Sequence, residues 1–213
     1  MKILLTGGSG LLGRHLIPLL KDRGFTVCAP DHSNLDIITF IHPLPESVDL
    51  IIHCAGYTDV DRAEKEKVRC FEANAIGTWN LIKRNRQIPF VYISSEFAQN
   101  PVNFYSYTKF TGEEIVKNMA EKYLIIRTLF KSRPFTHPKA FIDQFTRGDY
   151  VDVIAPLIVK CIFDEGFMGE IYAPFVHVGT RRKTMFDLAK QTKPDVLPMS
   201  IKEMEVARPA DYE

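Results

Sequence analysis

Several features that mark whole classes of protein are scarce or missing here. No apolar run in the 213 residues approaches the ~18 that a membrane-spanning helix needs. The apolar stretch at the N-terminus, Ile3 to Leu5, is too short for a signal peptide. Cysteine is limited to Cys28, Cys54, Cys70 and Cys161, with no C-x-x-C pair. That excludes a disulfide framework and a cysteine zinc site, and fits small core residues in a reducing compartment. The six histidines are equally dispersed, so no metal is expected. Formal net charge is only +1, which gives no reason to expect a polyanion partner. The basic clusters Lys83-Arg84-Asn85-Arg86 and Arg181-Arg182-Lys183 read as solvated faces. Repeats and low-complexity segments are absent. The expectation is a cytoplasmic globular protein with neither a nucleic-acid nor a membrane partner. Its 46% hydrophobic content supports a packed core, and its length suits one large domain or a core with a small lobe.

What is present begins at the first residues. Lys2-Ile-Leu-Leu-Thr6 reads as a buried parallel strand, and Gly7, Gly10 and Gly13 follow at G-x-x-G-x-x-G spacing. A helix pattern over Leu12 to Asp22 comes next, ended by Gly24. Such a turn lets backbone N–H groups approach a pyrophosphate at a helix N-terminus, where the peptide dipoles favour negative charge. The strand-turn-helix context is the one this glycine pattern requires. Ser9, Leu11 and Leu12 complete the expected phosphate contacts. Pro18 predicts a bend in the helix, on the face away from the cofactor. Phe25 to Ala29 reads as a second strand, followed by Asp31. Asp31 stands near the ~20-residue separation expected of a carboxylate that accepts from the adenosine ribose. An acid there favours NAD, while His32 and Ser33 soften that preference. Asp36 is placed to face the adenine amine.

Strands and helices then alternate. Val48 to Ala55 reads as a strand, Asp61 to Arg86 as one helical stretch, and Pro89 to Ser95 as a strand. Tyr105 to Lys122 follows as a helix, then Tyr123 to Arg127 as a strand. Beyond them come a helix from Asp152 to Phe163, a strand at Glu170-Ile-Tyr-Ala and a short helix from Thr184 to Gln191. The alternation predicts a Rossmann-type α/β fold, a doubly wound parallel sheet with helices on both faces. Residues 1–128 are expected to form the dinucleotide-binding core, and 129–213 a small substrate lobe packed on it. Ligands of such sheets lie beyond the carboxyl ends of the strands. Gly56, Ser94, Ser95 and Thr128 occupy such ends.

One constellation carries chemistry. Tyr105 and Lys109 are four residues apart at the start of a helix, so both side chains share a face. A nearby ammonium stabilises a phenolate, so Lys109 is expected to lower the Tyr105 pKa from its reference of ~10. Tyr105 then exchanges a proton with a carbonyl or alcohol. Ser95 is placed to hydrogen-bond the same oxygen.

Together the glycine turn, the strand-end serine and the Tyr105/Lys109 pair resemble the extended short-chain dehydrogenases/reductases. The finer resemblance is to the dTDP-4-dehydrorhamnose reductase family. His53-Cys-Ala-Gly-Tyr-Thr-Asp-Val-Asp-Arg-Ala-Glu64 is similar to that family's N-A-A-A-Y-T-x-V-D-x-A-E. Ser94-Ser95-Glu96-Phe97 resembles its S-T-D-Y, and Asn103 to Glu113 resembles its N-x-Y-G-x-T-K-x-x-G-E. Arg127-Thr128, Asp143-Gln144, Gly179-Thr180 and Arg208-Pro209 match later landmarks.

The resemblance implies NADH- or NADPH-dependent reduction of the 4-keto group of a nucleotide-linked 4-keto-6-deoxy sugar. Tyr105 would be the proton donor, Lys109 its partner and a ribose ligand, and Ser95 the stand-in for the catalytic threonine. Ala55, Gly56, Tyr57 and Ser94 would line the cofactor. Thr58, Val60, Asp61, Glu96, Phe97, Phe130 and Arg208 would meet the substrate. The implied partners are the nucleotide sugar, an upstream 3,5-epimerase and a second copy of the chain. Two alternatives stay open: another sugar-nucleotide epimerase or dehydratase, with Glu96 as the added acid/base, and a non-catalytic regulatory dinucleotide-binding subunit. The segments Phe97 to Asn103 and Phe130 to Asp143 are shorter than in the family, which leaves little room for the usual substrate-lobe helix. The chain also stops soon after Pro209. The compact lobe points to a different sugar, or to a partner chain that completes the cleft.

Overall fold

The architecture was obtained as a computed structural model, which describes residues 1–39, 44–164, 167 and 174–211. The first half runs β1 (Lys2–Thr6), α1 (Leu11–Asp22), β2 (Thr26–Cys28), β3 (Leu50–His53), α2 (Val60–Ala63), α3 (Lys67–Phe71), α4 (Gly77–Lys83), β4 (Phe90–Ile93), α5 (Phe104–Met119) and β5 (Tyr123–Arg127). The second half runs β6 (Phe130–Lys131), β7 (Lys139–Phe141), β8 (Phe145–Thr146), β9 (Asp149–Tyr150), α6 (Val151–Phe163), β10 (Phe175–His177), β11 (Lys183–Thr184), α7 (Met185–Lys190) and β12 (Leu197–Met199).

Six parallel strands form the main sheet in the order β10-β5-β4-β3-β1-β2. Chain direction across the sheet reverses between β1 and β3, where the strand ends leave a crevice. Alternate residues of each strand face opposite ways, and both faces are apolar because both are covered. Ile3, Leu5, Ile52, Val91, Ile93 and Ile126 pack with Leu16 and Leu20 of α1 and with Ile154 and Ile158 of α6. Leu4, Ile51, Phe90, Tyr92 and Ile125 pack with Leu81 of α4 and Val116 of α5. This is the doubly wound α/β arrangement expected from the apolar runs. Pro18 and Pro156 lie on the exposed sides of α1 and α6, which continue through them.

Two expectations are revised. The helical stretch from Asp61 to Arg86 is broken. Asp59 caps a short α2 by accepting from Arg62 N at 3.0 Å. A π-helical turn over Glu72–Ile76 then joins α3 to α4, and such turns favour functional positions. Residues beyond Thr128 do not all form a lobe. α6 and β10 belong to the main sandwich. The rest makes three two-stranded pairs, β6–β9, β7–β12 and β8–β11, with α7. These enclose a separate small core around Phe135, Tyr150, Met185 and Leu188. The strand expected at Glu170-Ile-Tyr-Ala lies outside the described residues.

A buried polar chain crosses the sheet under the crevice. The Thr78 hydroxyl donates to Asn74 O at 2.7 Å. His53 Nε2, 3.1 Å from that hydroxyl oxygen, is therefore the protonated nitrogen. Nδ1 accepts from the Thr6 hydroxyl at 2.7 Å. Burial, helped by the charge of Lys109, pushes His53 from 6.5 down to about 3. Below its ordinary pKa the unfolded chain binds a proton on His53 that the folded chain refuses. Stability is therefore expected to fall with pH in that window by about 1.4 kcal/mol per unit. Urea unfolding of the protein and of His53→Asn at about pH 6 and about pH 4 checks this: the difference between them shrinks on acidification, and a constant difference contradicts it.

Candidate active site

The carboxyl ends of β1, β3, β4 and β5 open onto a cleft of about 590 Å³. Its β1 end is backbone. Gly7 has φ +71°, and a Cβ there would stand 2.7 Å from Ala55 N, so only glycine permits the close approach of the β1 and β3 turns. Gly10 N donates to Gly7 O at 3.0 Å. A side chain at Gly13 would overlap that same carbonyl. α1 has no acidic residue in its first turn and no side-chain cap, so its terminal N–H groups stay available to an anion. Ser9, Leu11, Leu12, Ala55, Gly56, Tyr57, Thr58 and Val60 line the cleft beside the glycines.

The reactive groups stand at its centre. α5 begins with a capping box: Asn103 Oδ1 accepts from Ser106 N at 2.8 Å, and Ser106 Oγ accepts from Asn103 N at 3.0 Å. This fixes the first turn, which carries Tyr105. Tyr105, Lys109 and Ser95 are each less than a tenth exposed, yet all line the cleft. Burial raises the Tyr105 phenol to about 12, and the neighbouring Ser95 hydroxyl opposes the rise. The expected lowering by Lys109 does not occur. The ammonium donates instead to Ile93 O at 2.9 Å and sits 4.2 Å from the centre of the Tyr92 ring. Burial pushes Lys109 down to about 8, opposed by the negative charge of Glu113.

Below these groups lies a buried ion pair. Glu113 is fully buried; its carboxylate accepts from Arg127 Nε at 2.8 Å and Nη2 at 2.7 Å, and from Ser94 Oγ at 2.5 Å. Asn74, on the π-helical turn, accepts from Tyr57 N at 2.8 Å and donates to Thr108 Oγ1 at 2.9 Å. It ties the turn after β3 to the helix that carries the tyrosine. Sequence reasoning passed over Asn74, a buried polar residue between Ala73 and Ala75.

Residues 1–158 match the family described as the RmlD substrate binding domain. The chain belongs to that family. It is 30% identical over 192 residues to the dTDP-4-dehydrorhamnose reductase of Mycolicibacterium smegmatis, covering 80% of this chain and 59% of that protein. For the namesake of Aggregatibacter actinomycetemcomitans the figures are 32%, 60% and 50%. The chain thus spans half to three fifths of the length of these curated relatives. The dTDP-4-dehydrorhamnose reductase of Bacillus anthracis, solved in complex with NADP, superposes with a TM-score of 0.83 at 27% identity, over 99% of this chain and 89% of that one. The Clostridium acetobutylicum structure gives 0.84 at 25%, over 100% and 89%.

The family's cofactor type was tested against this chain's own atoms. The glycine turn is a backbone cradle that side chains would fill. The α1 terminus lacks an acidic residue. The Thr128 hydroxyl, in a residue only 3% exposed, lines the cleft and has no hydrogen-bond partner among the described residues. Together these features fit a dinucleotide. Neither Asp31 nor Asp36 lines the cleft. Both carboxylates hold their own turns: Asp31 Oδ1 accepts from Ser33 Oγ and Asn34 N, and Asp36 Oδ1 from Ile38 N. These bonds keep both below the usual carboxylate range, in Asp36 against an opposing effect of burial.

Of the substrate contacts that the resemblance implies, Thr58, Val60, Phe97 and Phe130 do line the cleft. Phe97 stands edge-on to Tyr105, with ring centres 6.0 Å apart. Three assignments are corrected. Glu96 turns away into a second cavity, where Thr146 Oγ1 donates to it at 2.5 Å and Arg147 N at 3.2 Å. A carboxylate this deeply buried must find donors, and the 146–148 loop provides them; burial still raises its pKa. Asp61 and Arg208 pair with each other at 2.7 Å, outside the cleft lining. Lys131, Phe135 and His137 line the cleft instead. They were missed because the short strands and loops that carry them have no periodicity.

Removing one partner of a buried ion pair leaves the other charge uncompensated. Glu113→Gln is expected to cost about 3–5 kcal/mol of stability, read by denaturant unfolding. A loss below about 1 kcal/mol would show that the pair does not brace the site.

Proposed function

We propose that this protein is an NAD(P)H-dependent reductase of the 4-keto group of a nucleotide-linked 4-keto-6-deoxy sugar. The observation that carries the proposal is that Ser95 and Tyr105 line one cleft with Lys109 and the glycine turn. The names of the relatives, dTDP-4-dehydrorhamnose reductases, support it.

In this reading residues 1–128 hold the cofactor and much of 129–213 holds the sugar. Bound NAD(P)H supplies a hydride to C4. Tyr105 gives its proton to the carbonyl oxygen as that oxygen gains negative charge. With its pKa near 12, the phenol is fully protonated at neutral pH, the state a donor needs. Ser95 orients the oxygen and stabilises its charge. Lys109, which lines the same cleft, would be the ligand of the nicotinamide ribose when the cofactor is bound. Ser94 acts through Glu113, and Thr128 offers its free hydroxyl to the ligand. NADH or NADPH is the cofactor, and the exposed Asp31 after β2, which keeps one carboxylate oxygen outside its own hydrogen bonds, favours NADH.

An epimerase or dehydratase would need a further acid/base beside Ser95. The residue placed there, Glu96, is spent on the 146–148 loop, which favours simple reduction. A regulatory subunit has no chemical use for a phenol set against a serine hydroxyl. An upstream 3,5-epimerase supplying the substrate, a homodimer and a cytoplasmic setting complete the proposal; four free thiols support the last.

The assay follows NADH and NADPH oxidation with dTDP- and UDP-linked 4-keto-6-deoxyglucose, each with and without a 3,5-epimerase. Turnover is expected with at least one pair. Tyr105→Phe is expected to bind the dinucleotide as the parent does while losing about a hundredfold to ten-thousandfold in kcat. A fully active phenylalanine variant would remove Tyr105 as the proton donor.

A further inference from the structure

The segment after β12 is fastened to the small lobe at both ends. Ile201 N donates to Asp143 Oδ1 at 2.8 Å, Gln144 Nε2 donates to Pro209 O at 3.1 Å, and Phe145 N donates to Ala210 O at 2.8 Å. Between those anchors, residues 204–208 cross to α2 and to the start of α5. Arg208, with a side chain only 7% exposed, pairs with Asp61 of α2 at 2.7 Å. It also steadies its own turn, where Nη1 donates to Val206 O at 3.3 Å. One residue earlier, Ala207 O accepts from Asn103 Nδ2 at 2.8 Å, across 104 residues of sequence.

Asn103 thus serves two partners with one side chain. Its Oδ1 accepts from Ser106 N, and its backbone O accepts from Tyr107 N at 3.1 Å, so it holds the turn that carries Tyr105. Its Nδ2 holds the crossing segment. The residue is only 4% exposed, so an amide N–H left without an acceptor there is costly. Serine or aspartate would cap the helix as well, but only asparagine adds an amide donor for a second partner. The lobe at the other end of this connection carries Lys131, Phe135 and His137, which line the cleft. We propose that Asn103 is a positioning residue for Tyr105: its bond to Ala207 couples the small lobe, through the crossing segment, to the helix turn that carries the phenol. A shift of the lobe is then felt at the proton donor, where small displacements change the rate more than the affinity. The mechanical coupling stands on the contacts alone, and its effect on turnover rests on the reductase reading.

Hydrogen exchange read by mass spectrometry on the full chain tests the coupling without a substrate. Arg208→Met releases the crossing segment from α2, so exchange in residues 204–210 is expected to rise. Exchange in residues 104–108 should rise with it by about fivefold, while residues 112–119 of the same helix exchange as in the parent. Arg208→Lys should restore most of the protection. Asn103→Ser keeps the cap but cuts the connection, so adding Arg208→Met to it should change residues 104–108 no further. In the nucleotide-sugar assay Asn103→Ser is expected to lose about fivefold to a hundredfold in kcat with the KM for the cofactor unchanged. Residues 204–210 loosened by Arg208→Met with residues 104–108 exchanging as in the parent overturns the coupling. A parental kcat in Asn103→Ser overturns the positioning role and leaves the reductase reading intact. Coupled exchange in a protein that oxidises no cofactor keeps the coupling and removes the reductase reading.

Discussion

The structure around the cleft depends on the buried pair of Glu113 and Arg127. Glu113 lies on α5 two helical steps of four residues beyond Tyr105, so the three positions 105, 109 and 113 share one face. Arg127 ends β5, and Ser94, which donates to the same carboxylate, directly follows β4. One carboxylate thus fixes the helix carrying the phenol and the ammonium against the strand end carrying the Ser95 hydroxyl. The arrangement costs desolvation, which three charge-assisted or short hydrogen bonds offset. It places its benefit where small displacements matter most, in the relative position of Ser95 and Tyr105.

Electrostatics in the cleft follow from burial more than from pairing. Tyr105 rises and Lys109 falls, both through desolvation first. The phenol therefore rests as an acid, and the ammonium is occupied by Ile93 O and the face of Tyr92. Exclusion of water holds the Tyr105 phenol protonated, while Glu113 and Asn74 brace the surrounding elements from outside the cleft.

Much of this was legible in the sequence because it depends on features that local chemistry enforces. The glycine spacing reports a backbone approach that no side chain permits. The strand cores read clearly because both faces of the sheet are covered, which turns β1, β3, β4 and β5 into unbroken apolar runs. Tyr105 and Lys109 were found from helical spacing alone. The direction of a side chain at a turn was not legible. Glu96 follows Ser95 directly, but the short turn over Glu96–Ala98 points its carboxylate at the 146–148 loop. Asp61 and Arg208, far apart in sequence, neutralise each other. Lys131 escaped notice because a two-residue strand has no period to read. The alternation of strand and helix also hid the fact that α6 and β10 return to the main sheet, since packing partners distant in sequence leave no local mark.

The central claim is that this cleft delivers a hydride to the 4-keto carbon while Tyr105 supplies the proton. The most direct test uses NAD(P)H deuterated at the transferring position and a nucleotide-linked 4-keto-6-deoxy sugar, with the product examined by mass spectrometry and NMR. The account predicts a single deuterium bound to C4 and a solvent-derived proton on its oxygen. Deuterium at another carbon, or cofactor bound with no label transferred, would contradict it.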